Sequence, residues 1–228
     1  MRLHEIFTSI SGEIGHYPQG SLVTFIRLHG CNLACSWCDT EASISGLCKF
    51  DKSPKEIVQY LIDNRKPRLV VITGGEPLYQ ETELVELVET LQAAHFTVQI
   101  ETNGTYILPA SIGMRCAWVV DIKPPSAGDY RDRTLTPQHI LDALSVDVYL
   151  KFPVQDAKDI EAAEFYIDEL VHIVSNSGRM AKFKAIALSP VAPMPHERCL
   201  EVLKKYQERF PFIPFCLNVQ LHRMLNER

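Results

Sequence analysis

The sequence predicts an α/β fold: an incomplete, truncated (β/α) barrel on a curved parallel sheet, forming one domain over residues 1–228. Two observations carry that expectation. Short β-branched runs alternate with amphipathic stretches, a pattern that implies parallel pairing through right-handed crossovers. The runs also stop abruptly at polar or glycine-rich residues, among them Gly74-Gly75-Glu76-Pro77, Thr102-Asn103-Gly104 and Lys123-Pro124-Pro125. In such folds ligands gather at the carboxyl ends of the strands.

The stretch Glu5 to Gly20 holds three glycines and one proline among hydroxyl residues. It reads as a loop whose backbone can approach another group closely, or more plainly as a surface turn. Leu22 to Leu28 is the first expected strand and runs into the loop Gly30 to Thr40. Asp51-Lys52-Ser53-Pro54 opens a helix through about Asn64, with Ser53 as N-cap and Pro54 in the first helical position. Arg68 to Thr73 is a strand, followed by an amphipathic helix of about Glu81 to Ala94. Phe96 to Glu101 and Ala117 to Ile122 repeat the strand pattern. Further strands are expected at Asp147 to Phe152, Ala181 to Ala187 and Pro214 to Val219. Helices should lie near Pro137 to Ala143, Asp156 to Val174 and Pro195 to Phe210. The segments Gly30 to Thr40, Thr73 to Pro77, Glu101 to Gly104 and Asp121 to Lys123 each follow a strand, so they should face one shared cavity.

With 46% hydrophobic and 22% charged residues, the composition is that of an ordinary soluble globular protein. A net charge of -5 argues against nucleic acid as a partner, because phosphate binding needs clustered Lys and Arg. Met1-Arg2-Leu3-His4-Glu5 lacks the apolar core of a signal peptide, and no apolar run is long enough to span a bilayer. A cytoplasmic location without a membrane partner is therefore expected. Seven cysteines then read as reduced thiols, and a tight cluster among them as metal or redox chemistry. Cys48, Cys116, Cys199 and Cys216 stand apart and read as buried or spare thiols.

The cluster is Cys31-x3-Cys35-x2-Cys38, in Gly30-Cys31-Asn32-Leu33-Ala34-Cys35-Ser36-Trp37-Cys38-Asp39-Thr40. Structural zinc takes four protein ligands in paired spacings, which His29 or Cys48 would have to complete here. A cubane iron-sulfur cluster normally takes four cysteines, so three leave one iron open to another ligand. An open iron points to chemistry more than to plain electron transfer.

The cysteine spacing, with Trp37 before the last thiol, resembles the signature of the radical S-adenosylmethionine (radical SAM) superfamily. Thr73-Gly74-Gly75-Glu76-Pro77 resembles that superfamily's glycine-rich motif. The resemblance implies a radical SAM-type barrel and a [4Fe-4S] cluster on Cys31, Cys35 and Cys38. S-adenosylmethionine would chelate the open iron and be cleaved to a 5'-deoxyadenosyl radical. Trp37, Asp39, Gly75 and Glu76 would line the cofactor site, with Asn103 and Lys123 as weaker candidates, and Glu76 would meet the cofactor's ammonium.

Within the superfamily, Glu5-Ile6-Phe7-Thr8-Ser9-Ile10-Ser11-Gly12-Glu13, Phe25 to Cys31 and Cys35 to Thr40 are similar to the 7-carboxy-7-deazaguanine synthase family. The likeness continues more thinly through Glu101 to Gly104, Lys123-Pro124-Pro125 and Gln220-Leu221-His222. It implies a carbon-nitrogen lyase of queuosine biosynthesis, in a tRNA modification pathway, that converts 6-carboxy-5,6,7,8-tetrahydropterin to 7-carboxy-7-deazaguanine and ammonia. Thr40 would ligate Mg2+, which prefers hard oxygen ligands, although alone it reads as a helix N-cap. Ile10, Ser11, Gly12, Arg27 and Thr73 would contact the pterin. Arg27 would grip its carboxylate, although a structural ion pair is an equal reading. The expected partners are the pterin and an electron donor such as flavodoxin or ferredoxin. An exposed barrel edge makes a homodimer the expected assembly. Two departures stand out: Ser11-Gly12-Glu13-Ile14 replaces the family's Gln-Gly-Glu-Gly, and Asp121-Ile122 replaces Ser-Pro before Lys123. The competing readings are an activating enzyme for a glycyl-radical protein and a non-catalytic zinc-binding module.

Overall fold

The computed structural model describes residues 1–40, 48, 50–113, 116–128, 130, 132, 134–142, 147–177 and 183–227. Its first element corrects the sequence reading, because a strand stands where half of a loop was expected. Strand β1 (Arg2–Ile10) pairs antiparallel with β2 (Leu22–Leu28), from Leu3 opposite Leu28 to Ile10 opposite Leu22. Leu3, Ile6, Phe7 and Ile10 do not alternate strictly, so the period is weak in sequence. The β-branched β2 supplies the ladder, and Phe7 stacks on Phe25 with ring centroids 5.0 Å apart.

The other strands are β3 (Phe50–Asp51), β4 (Leu69–Gly74), β5 (Thr97–Thr102), β6 (Ala117–Asp121), β7 (Asp147–Val154), β8 (Phe183–Pro190) and β9 (Phe215–Leu217). They form one nine-stranded sheet of order β3-β1-β2-β4-β5-β6-β7-β8-β9. Pairing is antiparallel on either side of β1 and parallel from β2 to β9. The sheet does not close on itself, so the truncated (β/α) architecture expected from the alternation is the one found.

The helices are α1 (Pro54–Asp63), α2 (Glu81–Ala93), α3 (Ala110–Gly113), α4 (Pro137–Asp142), α5 (Ala157–Ser177), α6 (His196–Arg209) and α7 (Leu221–Met224). Helix α1 begins in a capping box. The Ser53 hydroxyl accepts from the Glu56 N–H at 3.3 Å, and the Glu56 carboxylate accepts from the Ser53 N–H at 2.8 Å. The sequence-based ends at Ala143 and Ala181 lie outside the described residues. Among the described residues no helix is long and apolar enough to cross a membrane.

Alternation along the strands divides the sheet into two environments. Val70, Ile72, Val98, Ile100, Trp118, Val120, Val148 and Leu150 are at most 1% exposed and share one core with Leu61, Leu84, Leu87, Leu91, Ile167 and Leu170 of the helices. Each such side chain contributes about 1.5–3 kcal/mol of transfer free energy.

Elsewhere on the sheet, the loop of residues 11–21 packs against the strands. Tyr17 clusters with Val23 and Val71, and its hydroxyl donates to the Thr97 carbonyl at 2.7 Å. The His16 N–H donates to Gln99 Oε1 at 2.8 Å, and the Ile14 N–H to Asn218 Oδ1 at 2.6 Å. A Cβ at Gly15 would collide with the Gln99 side chain. The close backbone approach anticipated for this loop is therefore made against the sheet itself.

Candidate active site

Five consecutive strands each send residues two positions apart into one cleft at their carboxyl ends. The pairs are Thr73 and Gly75, Glu101 and Asn103, Asp121 and Lys123, Lys151 and Pro153, and Ser189 and Val191. Period-two side-chain alternation accounts for the spacing on the last three strands, whereas on the first two Gly74 and Thr102 line the cleft as well. The four segments expected to share a cavity do share it, because Cys31, Cys35, Trp37, Cys38, Asp39 and Thr40 line the same cleft.

Several contacts that seat the cysteine loop involve no cysteine side chain. Ser36 donates from its N–H to the Ala127 carbonyl at 3.0 Å and from its hydroxyl to the Ser126 carbonyl at 2.6 Å. The Trp37 indole donates to the Ser126 hydroxyl at 3.1 Å, and the Asn103 amide to Asn32 Oδ1 at 2.9 Å. Gly30 turns the chain at φ +97°. Its carbonyl accepts from the Glu76 N–H at 2.9 Å. A Cβ on Gly75 would strike that carbonyl and Cys31 Cβ, so the missing side chain is what lets the glycine turn pack this closely on the start of the cysteine loop.

Burial raises the Cys31 and Cys35 thiols above the usual range, while Lys123 near Cys35 acts in the opposite direction. Ligation would therefore have to displace protons. Among the described residues no three His, Cys, Asp or Glu side chains converge as they would around a single ion. A cubane puts each thiolate on a separate iron, and the three thiols along this cleft fit such a cluster with one iron left open.

Glu76 is wholly buried and does not line the cleft. Its carboxylate accepts from the Leu78 N–H, the Asn103 N–H and the Thr102 hydroxyl at 2.9, 2.7 and 2.9 Å. Burial pushes it up to about 7 against those hydrogen bonds. Glu76 thus ties the glycine turn to the end of β5. Asn103 also points Nδ2 at Cys31 Sγ, 3.6 Å away, and Lys123 Nζ stands 5.4 Å from the centre of the Trp37 ring. Asp39 accepts from Arg223 Nη2 at 3.0 Å, and Thr40 Oγ1 lies 3.5 Å from the Gly74 carbonyl and 3.6 Å from Cys38 Sγ. The Thr40 hydroxyl and the Asp39 carboxylate both line the cleft, and hard oxygen donors are the ligands that Mg2+ takes.

Four residues expected to touch substrate are not among those lining the cleft: Ile10, Ser11, Gly12 and Arg27. Arg27 sits opposite Thr73 in the sheet register, but its guanidinium bonds Glu5 at 3.0 Å and lies over the Phe7 ring. Ser11 is buried, and its N–H donates to the Ser21 carbonyl. The Gly12 carbonyl accepts from Leu221, and a Cβ there would strike the His222 ring.

The cleft residues given no role from the sequence include Glu13, Lys151, Ser189, Gln220 and Arg223. Lys151 Nζ bonds Glu13 and lies 3.0 Å from Asp121 Oδ1, while Lys123 Nζ donates to Asp121 Oδ2 at 3.0 Å. Burial opposes each of these charges, but the opposite charges outweigh it: Asp121 is held low and both lysines are held high. Glu101 is pushed up to about 7 by burial and then by Glu13. Lys151 and Ser189 lie on strands that end at the cleft, Glu13 and Gln220 belong to the strings that resemble the family, and Arg223 carried no signal in the sequence.

A thiol trio after the first parallel strand, a glycine turn after the second and a cleft across strand ends define a radical SAM fold. The Radical SAM superfamily profile matches residues 25–112. A 7-carboxy-7-deazaguanine synthase of Koribacter versatilis is 38% identical over 163 residues, covering 72% of this chain and 69% of that protein. The same enzyme of Methanospirillum hungatei is 41% identical over 167 residues, covering 72% and 65% respectively. The match thus spans about two thirds of these relatives' length. The crystal structure of QueE from Escherichia coli superposes with a TM-score of 0.67 at 26% identity, covering 96% of this chain and 93% of that one. The chain belongs to the 7-carboxy-7-deazaguanine synthase family of radical SAM enzymes.

Proposed function

We propose that the chain, acting as one radical SAM domain over residues 1–228, converts 6-carboxy-5,6,7,8-tetrahydropterin to 7-carboxy-7-deazaguanine with release of ammonia. The observation that carries this reading is the cleft itself, with three thiols along one part and a carboxylate and lysine cluster along another. In this reading Cys31, Cys35 and Cys38 hold the [4Fe-4S] cluster. Trp37, Asp39, Gly75, Asn103 and Lys123 line the S-adenosylmethionine site, and Glu76 supports the glycine turn from behind. When bound, the cluster and S-adenosylmethionine supply one-electron chemistry that removes a hydrogen atom from carbon and returns it.

The protein's own share is placement and electrostatics. Glu13 presents an acceptor to the N–H-rich pyrimidinone edge of a pterin, and Thr73 stands across the same cleft. Mg2+ at Thr40 is the family-derived element, supported by the hydroxyl oxygen that Thr40 brings to the cleft, and it would orient the substrate carboxylate. A flavodoxin or ferredoxin as electron donor, a homodimer and a cytoplasmic location complete the proposal. Anaerobic, cluster-reconstituted protein given S-adenosylmethionine, dithionite and the tetrahydropterin should form the deazaguanine, read by mass spectrometry. Cofactor cleavage without that product would overturn the reading.

A further inference from the structure

We infer that Lys151 is a positioning residue that fixes the Glu13 carboxylate across the cleft for the ring of the bound pterin; this rests on the reading above. Glu13 arrives on the loop of residues 11–21, outside any strand, and two partners define its orientation. Lys151 Nζ bonds Oε2, and Gln220 Nε2 donates to Oε1 at 3.0 Å. Lys151 is anchored by its place in β7, in register opposite Asp121, and its carbonyl accepts from the Ile122 N–H at 2.9 Å. Its ammonium therefore rises from a fixed strand and ties a loop carboxylate to the sheet.

The residue is 8% exposed, and a buried ion pair is a weak stabiliser because desolvation offsets the attraction. Stability alone gives little reason for a lysine here. Its position gives more: it separates the charges of Glu13 and Asp121, with Glu101 on the same cleft. Without Lys151, these carboxyls face one another with Lys123 as the nearer cation left on Asp121. Glu13 then turns away from its place across the cleft, and the ring loses an acceptor there. The same ammonium links the Glu13 side of the cleft to the Lys123 and Trp37 side, through Asp121.

The test uses cluster-reconstituted Lys151→Met, Lys151→Gln and Lys151→Arg beside the wild type. Binding of 6-carboxypterin, a fluorescent and unreactive analogue, is titrated with S-adenosylmethionine present, and KM and kcat are measured separately. Lys151→Met should weaken analogue binding and raise KM about tenfold or more, the scale of a charge-assisted hydrogen bond, while S-adenosylmethionine affinity stays near wild type. Lys151→Arg should recover most of the loss. Adding Lys151→Met to Glu13→Gln should weaken binding no further than Glu13→Gln alone. Wild-type analogue affinity in folded Lys151→Met, or additive effects in the double variant, would overturn the inference. If neither neutral Lys151 variant folds, Glu13→Gln decides, because unchanged analogue binding there leaves nothing for Lys151 to position. A wild type that cleaves the cofactor without making deazaguanine sinks the functional reading instead, so the two failures are told apart.

Discussion

The Glu76 carboxylate shows how burial turns a motif residue into a pH-dependent structural one. It ionises near 4.5 in an ordinary setting and near 7 here. Between those values the folded state holds a proton that the unfolded state has released, so stability falls as pH rises through that window and levels off above it. The full effect is about 3 kcal/mol, at about 1.4 kcal/mol per pH unit. Glu76→Gln should flatten the decline between pH 5 and 7 in anaerobic urea unfolding, at a cost of about 1 kcal/mol for the mispaired Asn103 N–H. Parallel pH slopes in the two proteins would count against this. Motif spacing made Glu76 and its glycine turn legible in the sequence. The direction of the side chain was not legible, because its acceptor role depends on Thr102 and Asn103, 26 and 27 residues away. Arg27 and Lys151 were opaque for a related reason: a cation inside an apolar strand looks the same whether it meets solvent, an ion pair or a cleft.

At the scale of elements, legibility tracks the range of the interactions. Helix α1 was readable because its capping box lies within four consecutive residues, Ser53 to Glu56. Ser53→Ala should cost about 1 kcal/mol, seen as a lower urea midpoint with an unchanged slope. Strand β1 was misread because its ladder is set by β2, whereas residues 11–20 were read as a loop but without their partners, which lie far off, Asn218 being 204 residues from Ile14. That loop and helix α7 hold each other. The Leu221 N–H donates to the Gly12 carbonyl at 2.9 Å, and Gln220 and Arg223, at either side of the contact, reach Glu13 and Asp39. A methyl group at Gly12 has no room beside the His222 ring. Gly12→Ala should therefore displace α7, speeding proteolysis after Val219 and raising the pterin KM about tenfold through misplaced contacts. Normal proteolysis with an unchanged KM would show that the contact is dispensable.

For the whole molecule, the question is whether the cluster builds the fold or the fold builds the cluster's seat. In a small zinc module the metal supplies the folding free energy, and removing it unfolds the chain. Here the described core runs across the sheet from Leu3 to Ile213 without any of the three loop cysteines, so burial stabilises the sheet without metal. The cysteine loop also has seats that do not use its thiols: Ser36 and Trp37 on Ser126 and Ala127, and the Ala34 N–H donating to the Tyr130 hydroxyl at 3.0 Å. The triple variant Cys31→Ala, Cys35→Ala, Cys38→Ala should accordingly keep its far-ultraviolet circular dichroism and unfold cooperatively, with a Tm near that of the iron-free wild type. It should also lose the brown colour, the acid-labile sulfide and cofactor cleavage together. Loss of cooperative unfolding would mean that the thiols organise the sheet, and the metal would then have to be counted among the forces that hold the fold.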